Sequence, residues 1–309
     1  MIEVPELDAH AAANLIRAQF PDLAAHEVRW LGEGYDCVAF DVDGEWVFRF
    51  PKRSDVSDQL MLEMRLLPAL ASHSPVPLPG YCFHGQPNPP FPRHFGGYRK
   101  LAGMPASGVD WCTNGYTHLA PRLAQFLSWL HAFPRGQAAR LGVPQQHLAS
   151  IVDEAKAEAL DDFEKVARAA PDQPLQEWQR FLTDAPAKLN GGETRPVMLH
   201  GDFAAEHVLY DPDAHSITGV IDWSDAALGD PALDLAGLVH WGGDRLLRAV
   251  LADYRGSVDR ETLERAHFLA ACRGVADMAF GLDAGRPEYV QGGLRALKLA
   301  IPTSQGASL

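Results

Sequence analysis

The feature that most limits what this chain can fold into is a change of hydrophobic period at Gly103. Before it, short apolar runs alternate with turn signals; after it, apolar residues recur at helical spacing. Val28 to Leu31, Cys37 to Val42 and Glu45 to Phe50 are separated by Gly-Glu-Gly and Asp-Gly, a pattern that reads as strand, turn, strand, hairpin, strand. Residues 8–20 are Ala-rich, carry Leu15, Ile16 and Phe20 at helical spacing and stop at Pro21. Gln59 to Ala71 sets Leu60, Met64, Leu67 and Leu70 on one helix face, ahead of the extended Pro75-Val76-Pro77-Leu78-Pro79. Residues 84–97 read as a loop, and Tyr98 to Leu101 is again extended. Beyond Gly103, residues 116–133, 148–169 and 173–189 read as helices, broken by Pro134, Pro171, Pro174 and Gly191-Gly192. Two short apolar runs around polar loops interrupt this region at 197–223, and helical spacing returns from Leu233 to Ala300. The expectation is an α+β chain of two lobes: a small antiparallel sheet with a helix in 1–101, and a larger, mainly helical lobe in 102–309. A length of 309 residues suits that division.

Charge narrows the partners. Twenty-seven Lys and Arg against 40 Asp and Glu give a formal charge of -13, which repels nucleic-acid backbones and anionic lipid heads and favours a cationic ligand. Cys37, Cys82, Cys112 and Cys272 lie far apart with no C-x-x-C pair, so neither a zinc site nor a disulfide framework is indicated. The first ten residues carry Glu3, Glu6 and Asp8 and lack the basic start of a secretory signal, and no apolar stretch is long enough to span a bilayer. These features predict a cytoplasmic protein without nucleic-acid or membrane partners; they leave the oligomeric state open.

The densest chemical signal is Met198-Leu199-His200-Gly201-Asp202-Phe203-Ala204-Ala205-Glu206-His207-Val208-Leu209-Tyr210, followed by Val220-Ile221-Asp222-Trp223. Apolar anchors on both sides can hold a polar loop rigid, so that Asp202, His207 and Asp222 converge. Phosphoryl transfer needs such a set: a carboxylate to receive or orient the attacking hydroxyl, and ligands for the magnesium ions that offset charge on the phosphates. Asp202 suits the first task and Asp222 the second. The other common phosphate cradle, G-x-x-x-x-G-K-[ST], is nowhere in the chain.

The succession H-G-D-x-x-x-x-H, then I-D-W, then Gly229-Asp230-Pro231-x-x-Asp234-Leu235-Ala236 resembles the aminoglycoside phosphotransferase family. The resemblance runs from about residue 31 to residue 240 and implies a protein-kinase-like two-lobed fold, ATP or GTP as phosphate donor, Mg2+ as the ion and a small-molecule hydroxyl as acceptor. It gives Asp202 the catalytic role and assigns metal binding to Asp222 and His207. At His207 the family's fold commonly has Asn, and because magnesium prefers oxygen, a hydrogen-bonding role for His207 stands beside the ligating one.

The same resemblance distributes the nucleotide site. Gly32 and Gly34 lie in Leu31-Gly32-Glu33-Gly34-Tyr35-Asp36-Cys37, where a loop drapes over the phosphates; an ordinary hairpin turn would look similar, and a third glycine is replaced by Cys37. Strand alternation puts Val47 and Arg49 on one face, opposite Trp46, Phe48 and Phe50. Val47 then roofs the base, and Arg49 stands where relatives often have the phosphate-binding lysine, with Lys52 as the second candidate. Glu63 is expected either to orient Arg49 or to face solvent. Arg99 and Leu101 mark the interlobe hinge, and Leu209 is either the floor under the base or ordinary core. Asp230 and Asp234, in a turn feeding a helix, read as scaffolding.

For the acceptor side, the resemblance points to Asp225, Trp241 and Asp244, with further acids among Asp277, Asp283 and Glu288. The leading reading is an aminoglycoside kinase. Beside it stand a macrolide kinase, which would need a wider apolar pocket, a metabolic small-molecule kinase, and a kinase fold without transfer activity. The absence of an A-P-E segment between Asp222 and Asp234 disfavours protein substrates.

Overall fold

The computed structural model describes residues 7–109, 115, 117–184 and 195–302. Two compact units form: Met1–Gly103 with Leu209–Asp225, and Met104–Val208 with Ala226–Leu309. The segment Leu209–Asp225 thus packs with the first unit, although it lies beyond the long helices in sequence.

In the first unit, helix α1 (Ala9–Gln19) starts at Asp8, whose side chain accepts from Ala11 N at 2.7 Å. Strands β1 (Val28–Glu33), β2 (Cys37–Val42), β3 (Trp46–Pro51), β4 (Tyr81–Gly85) and β5 (Phe95–Arg99) make an antiparallel sheet in the order β1-β2-β3-β5-β4. The β2–β3 hairpin turns at Asp43 (φ 56°) and Gly44 (φ 72°), the two positive φ values that this tight turn demands. One sheet face buries Phe40, Phe48, Phe50 and Phe95 against Leu15 and Ile16 of α1, as the alternation in β3 predicts. Helix α2 (Ser54–Ala71) begins a full turn earlier than expected and buries Leu60, Glu63, Met64, Leu67 and Leu70. From the later segment, Val220 N donates to Pro77 O at 3.1 Å and Thr218 Oγ1 to Ala102 O at 2.6 Å, which ties it to this unit.

In the second unit, α3 (Ala120–His131), α4 (Arg135–Leu141), α5 (Leu148–Ala169) and α6 (Leu175–Asp184) precede strand β6 (Val197–Leu199). Helix α4 was not expected, because Pro134 read as a breaker. Pro134 is instead its N-cap, and Gly142, at φ 88°, ends it. The expected helix 173–189 is observed as α6, with residues 185–194 outside the described region. Strands β7 (Val208–Asp211) and β8 (Ser216–Val220), neighbours in one sheet, fall in the segment that packs with the first unit, whereas β9 (Ala227–Gly229) pairs antiparallel with β6 in the second. Helices α7 (Ala232–Leu251), α8 (Arg260–Asp283) and α9 (Pro287–Ala300) follow and pack on one another. A non-helical Gly243 (φ 59°) kinks α7 between Trp241 and Asp244. Among the described residues, no helix is long and apolar enough to cross a membrane.

Candidate active site

In the first unit, β3 carries Arg49 into a buried polar knot. Its Nη1 donates to Glu63 Oε2 at 2.7 Å, and its Nη2 to Asp222 Oδ1 at 2.5 Å and Ser224 Oγ at 3.1 Å. The Tyr81 hydroxyl donates to Glu63 Oε1 at 3.2 Å. Arg49 and Glu63 are buried, whereas the Asp222 side chain is 40% exposed, so this carboxylate spans the packed interior and an open face. Burial disfavours the Arg49 charge, but Asp222 and then Glu63 outweigh it and hold the guanidinium well above its ordinary value. Burial pushes the Glu63 carboxyl up, against the pull of Arg49. The Cys37 thiol beside them is pushed up to about 11, chiefly by burial, and so stays a neutral packing group. Asp222 itself has φ 62°, a left-handed conformation that costs an L-residue energy and that Asp tolerates better than most.

The β1–β2 loop is pinned from outside. Gly34 N donates to Cys37 O at 3.0 Å, Lys52 Nζ donates to Gly34 O at 2.7 Å and pairs with Glu33, and Arg53 pairs with Asp36 at 2.7 Å. Lys52, the second candidate for the phosphates, is therefore spent on the loop. A Cβ at Gly32 or Gly34 would meet nothing within 4 Å, so packing inside this unit does not demand glycine there. Val47 is buried, and a Cβ at Gly219 would come within 2.8 Å of Leu101 Cδ1 and 3.5 Å of Leu209 Cδ1, so both leucine side chains lie close against Gly219. Arg99 points elsewhere: its guanidinium lies over Trp46, 5.8 Å from the ring centroid, and 4.0 Å from Glu45. Asp225 follows the buried Ser224 and is half-buried.

In the second unit, the loop His200-Gly201-Asp202 is fastened by Asp234, at the start of α7. Its Oδ2 accepts from His200 N and its Oδ1 from Gly201 N, both at 3.0 Å. Asp234 also accepts from His131 Nε2 at 3.0 Å, while His131 Nδ1 accepts from the Tyr254 hydroxyl at 2.6 Å. The scaffolding role read for Asp234 thus has a definite object, the backbone next to Asp202. Asp230 likewise pairs with the fully buried Arg265 at 3.0 Å. The loop turns at Gly201 (φ 88°) and presses on α7 so closely that a Cβ at Gly237 would lie 1.4 Å from Phe203 O. Only glycine allows that approach.

Asp202 emerges from this support into a cluster of charges. Arg273 of α8 donates through Nη1 to Asp202 Oδ1 and through Nη2 to Glu206 Oε1, the latter at 2.8 Å. His207 Nδ1 donates to the Asp202 carbonyl at 2.7 Å and lies 3.4 Å from Asp202 Oδ2. Burial alone would raise the Asp202 carboxyl, but Arg273, then His207 and His200, outweigh it and keep it well below the usual carboxylate range. Glu206 is lowered by the same balance, with Arg273 again the largest opposing charge. One turn beyond Arg273, Asp277 accepts from His240 Nε2 at 2.8 Å. A cavity of ≈ 250 Å³ adjoins the cluster, lined by Ile151, Leu233 and Leu269 together with Glu158, Asp202 and Arg273.

The other acceptor-side residues are placed differently. Trp241 is buried within α7. Asp244, past the kink, accepts from His267 Nε2 at 3.0 Å and from Arg248 at 3.1 Å. Asp283 pairs with Lys165 at 2.7 Å and Glu288 with Arg286 at 2.9 Å. Among the described residues, no group of three or more His, Cys, Asp and Glu side chains forms a metal cage. Magnesium binds through one or two carboxylates with water and phosphate oxygens, and the half-exposed Asp222 carboxylate fits that mode. With Nδ1 of His207 turned to the Asp202 carbonyl, only Nε2 could ligate. Sequence reasoning missed Arg273, Glu206 and His131. Glu206 sits in plain view inside the polar loop, but Arg273 lies 71 residues from Asp202 in a helical run without a motif.

With this geometry in hand, comparison with known proteins is specific. Residues 27–269 match the model of the phosphotransferase enzyme family. A viomycin phosphotransferase of Streptomyces vinaceus is 34% identical over 150 residues, which cover 41% of this chain and 51% of that protein. The match thus spans about half the length of that relative. The GDP and kanamycin complex of an aminoglycoside phosphotransferase superposes with a TM-score of 0.72 at 28% identity, covering 95% of this chain and 98% of the other. A macrolide 2'-phosphotransferase type I superposes with a TM-score of 0.59 at 25% identity, covering 96% and 99%. The protein-kinase-like fold expected from the motifs is the fold observed: an antiparallel-sheet lobe and a largely helical one.

Proposed function

The chain belongs to the phosphotransferase enzyme family, and from that premise we propose that it transfers the γ-phosphate of ATP or GTP to a hydroxyl group of an aminoglycoside antibiotic, with Mg2+, in the cytoplasm. The observation that carries this reading is Asp202, held ionised by Arg273 and His207 on a loop that Asp234 clamps from behind. A carboxylate this acidic is a weak base, so its task is to accept a hydrogen bond from the acceptor hydroxyl, aim that oxygen at the γ-phosphorus and take the proton as the new P–O bond forms. The bond from phosphorus to the β–γ bridging oxygen breaks in the same step.

Arg49, kept protonated by Glu63 and Asp222, supplies fixed positive charge for the phosphates. Main-chain N–H groups of Gly32 to Asp36 approach them from the loop, Val47, Leu101 and Leu209 hold the base, and Arg99 marks the hinge. Asp222 would hold magnesium, with His207 as a nitrogen donor or as the hydrogen-bonding support of Asp202. When bound, the ion offsets the charge that develops on the phosphates.

Three acids, Asp202, Glu206 and Asp277, gather around one guanidinium beside the cavity, which supports a cationic acceptor. The chain's charge of -13 and the kanamycin bound to one structural relative point the same way. On this reading Asp225, Trp241 and Asp244 lie around the acceptor, Asp244 through its pairs with His267 and Arg248. A macrolide acceptor is the second reading, favoured by the apolar part of the cavity wall, Ile151, Leu233 and Leu269.

The test is mass spectrometry of kanamycin, viomycin and a macrolide after incubation with purified protein, magnesium and ATP or GTP. A phosphate-mass product is expected with the intact protein, with kcat at least about 100-fold lower in Asp202→Asn. No product with any acceptor, or undiminished product in Asp202→Asn, would overturn the reading.

A further inference from the structure

Resting on phosphate transfer by Asp202, we propose that Arg273 is a positioning residue for that reaction: by bridging Asp202 and Glu206 it turns one chosen carboxylate oxygen of Asp202 toward the acceptor hydroxyl.

A carboxylate on a short side chain can present either oxygen, and a rate-determining hydroxyl contact needs one of them held in place. Arg273 removes the choice. Its Nη1 takes Oδ1 of Asp202, and its Nη2 reaches Glu206 Oε1 at 2.8 Å. Because the guanidinium is planar and its nitrogens are fixed relative to one another, engaging Glu206 sets the plane in which Asp202 is met. What remains of Asp202 is Oδ2, 3.4 Å from His207 Nδ1, and Asp202 and Arg273 both line the ≈ 250 Å³ cavity.

The clamp is built on firm ground at both ends. Arg273 sits in the body of the 24-residue helix α8, and Glu206 in the short turn Ala205–His207 that follows the Asp202 loop. The clamp therefore ties the catalytic loop to helix α8. It is also not placed for packing satisfaction alone, since Nε of Arg273 is buried without a hydrogen-bond partner among the described residues. Without Arg273, Asp202, Glu206 and Asp277 would repel one another, and Asp202 would turn toward solvent. Lysine offers one point charge and cannot make the bridge, so charge alone does not replace this arginine.

The test compares wild type, Arg273→Met, Arg273→Lys and Glu206→Gln in steady-state kinetics with kanamycin and GTP or ATP, alongside crystal structures of wild type and Arg273→Met. The expected result is a fall in kcat of about 100-fold in Arg273→Met with acceptor KM within a few-fold of wild type, a fall only somewhat smaller in Arg273→Lys, and a lesser one in Glu206→Gln. Arg273→Ala is assayed beside them with and without millimolar guanidinium, which should restore part of its rate; a merely structural role would not allow that. The Asp202 side chain should leave its wild-type rotamer in Arg273→Met. Should Arg273→Met fail to fold, Glu206→Gln carries the kinetic test. Retention of kcat within twofold in Arg273→Met, a change confined to KM, or an unmoved Asp202 rotamer overturns the clamp while phosphate transfer stands. Absence of product from wild type with kanamycin, viomycin and a macrolide alike overturns the transfer reading and the clamp with it.

Discussion

Arg49 and Arg273 each bridge two carboxylates, one in each unit, and the two knots differ in how far they are withdrawn from water. Arg49 and Glu63 side chains are 7% and 0% exposed, with only Asp222, at 40%, reaching water, whereas Arg273, Asp202 and Glu206 are all partly exposed, at 25%, 31% and 36%. A buried charge must be paired or it costs several kcal/mol, so the first knot is part of what holds its unit together. A partly exposed charge can fall back on water, so the second knot adds less stability than the first and is available to set direction. The same chemical device serves as a structural tie in one place and as an aiming device in the other.

That contrast can be broken by experiment. The largest expected effect is Arg49→Met, which strands Glu63 in the interior and should cost about 3–5 kcal/mol in urea unfolding; a loss near that of Arg273→Met would show that burial does not separate the two knots. Next is Gly237→Ala, which drives a methyl group into Phe203 O and must displace either α7 or the Asp202 loop. A loss of about 3 kcal/mol is expected, with phosphate transfer reduced while the Arg49 knot, in the other unit, is unchanged in a crystal structure. Arg273→Met should cost only about 1 kcal/mol by the same unfolding measurement.

The smallest effect probes the support of Arg273. Asp259 caps α8, accepting from Thr262 N at 2.7 Å, and this bond lowers its carboxyl below the ordinary value. Asp259→Ala should cost about 1 kcal/mol. A carboxyl lowered on folding contributes its stability above the unfolded pKa and loses it as pH falls through the folded one. The gap in unfolding midpoint between wild type and Asp259→Ala should therefore be full near neutral pH and shrink below about pH 4.

How much of this was legible beforehand follows the same division. Alternation in Trp46-Val47-Phe48-Arg49-Phe50 was enough to separate Arg49 from the aromatic core, because a strand's side chains take sides with period two whatever the surroundings. The resemblance left Glu63 either orienting Arg49 or facing solvent, and only the packed structure, with Glu63 buried in α2 and bonded to Arg49, separates the two. Pro134 misled because proline marks a helix start as readily as an end, and only Gly142 beyond it distinguishes the two.

By itself, then, the sequence determined the division into a sheet-rich and a mainly helical part, the family, and the loop on which Asp202 stands, since these rest on local periodicity and on residues a few positions apart. Tertiary structure alone decided that Arg273 meets Asp202 across 71 residues, that His131 braces Asp234 across 103, and that Arg49 closes on Asp222 across 173. Such partners are chosen by which helix faces pack together and by where each charge finds an opposite one out of water. Neither quantity is carried by the residues next to them in the chain.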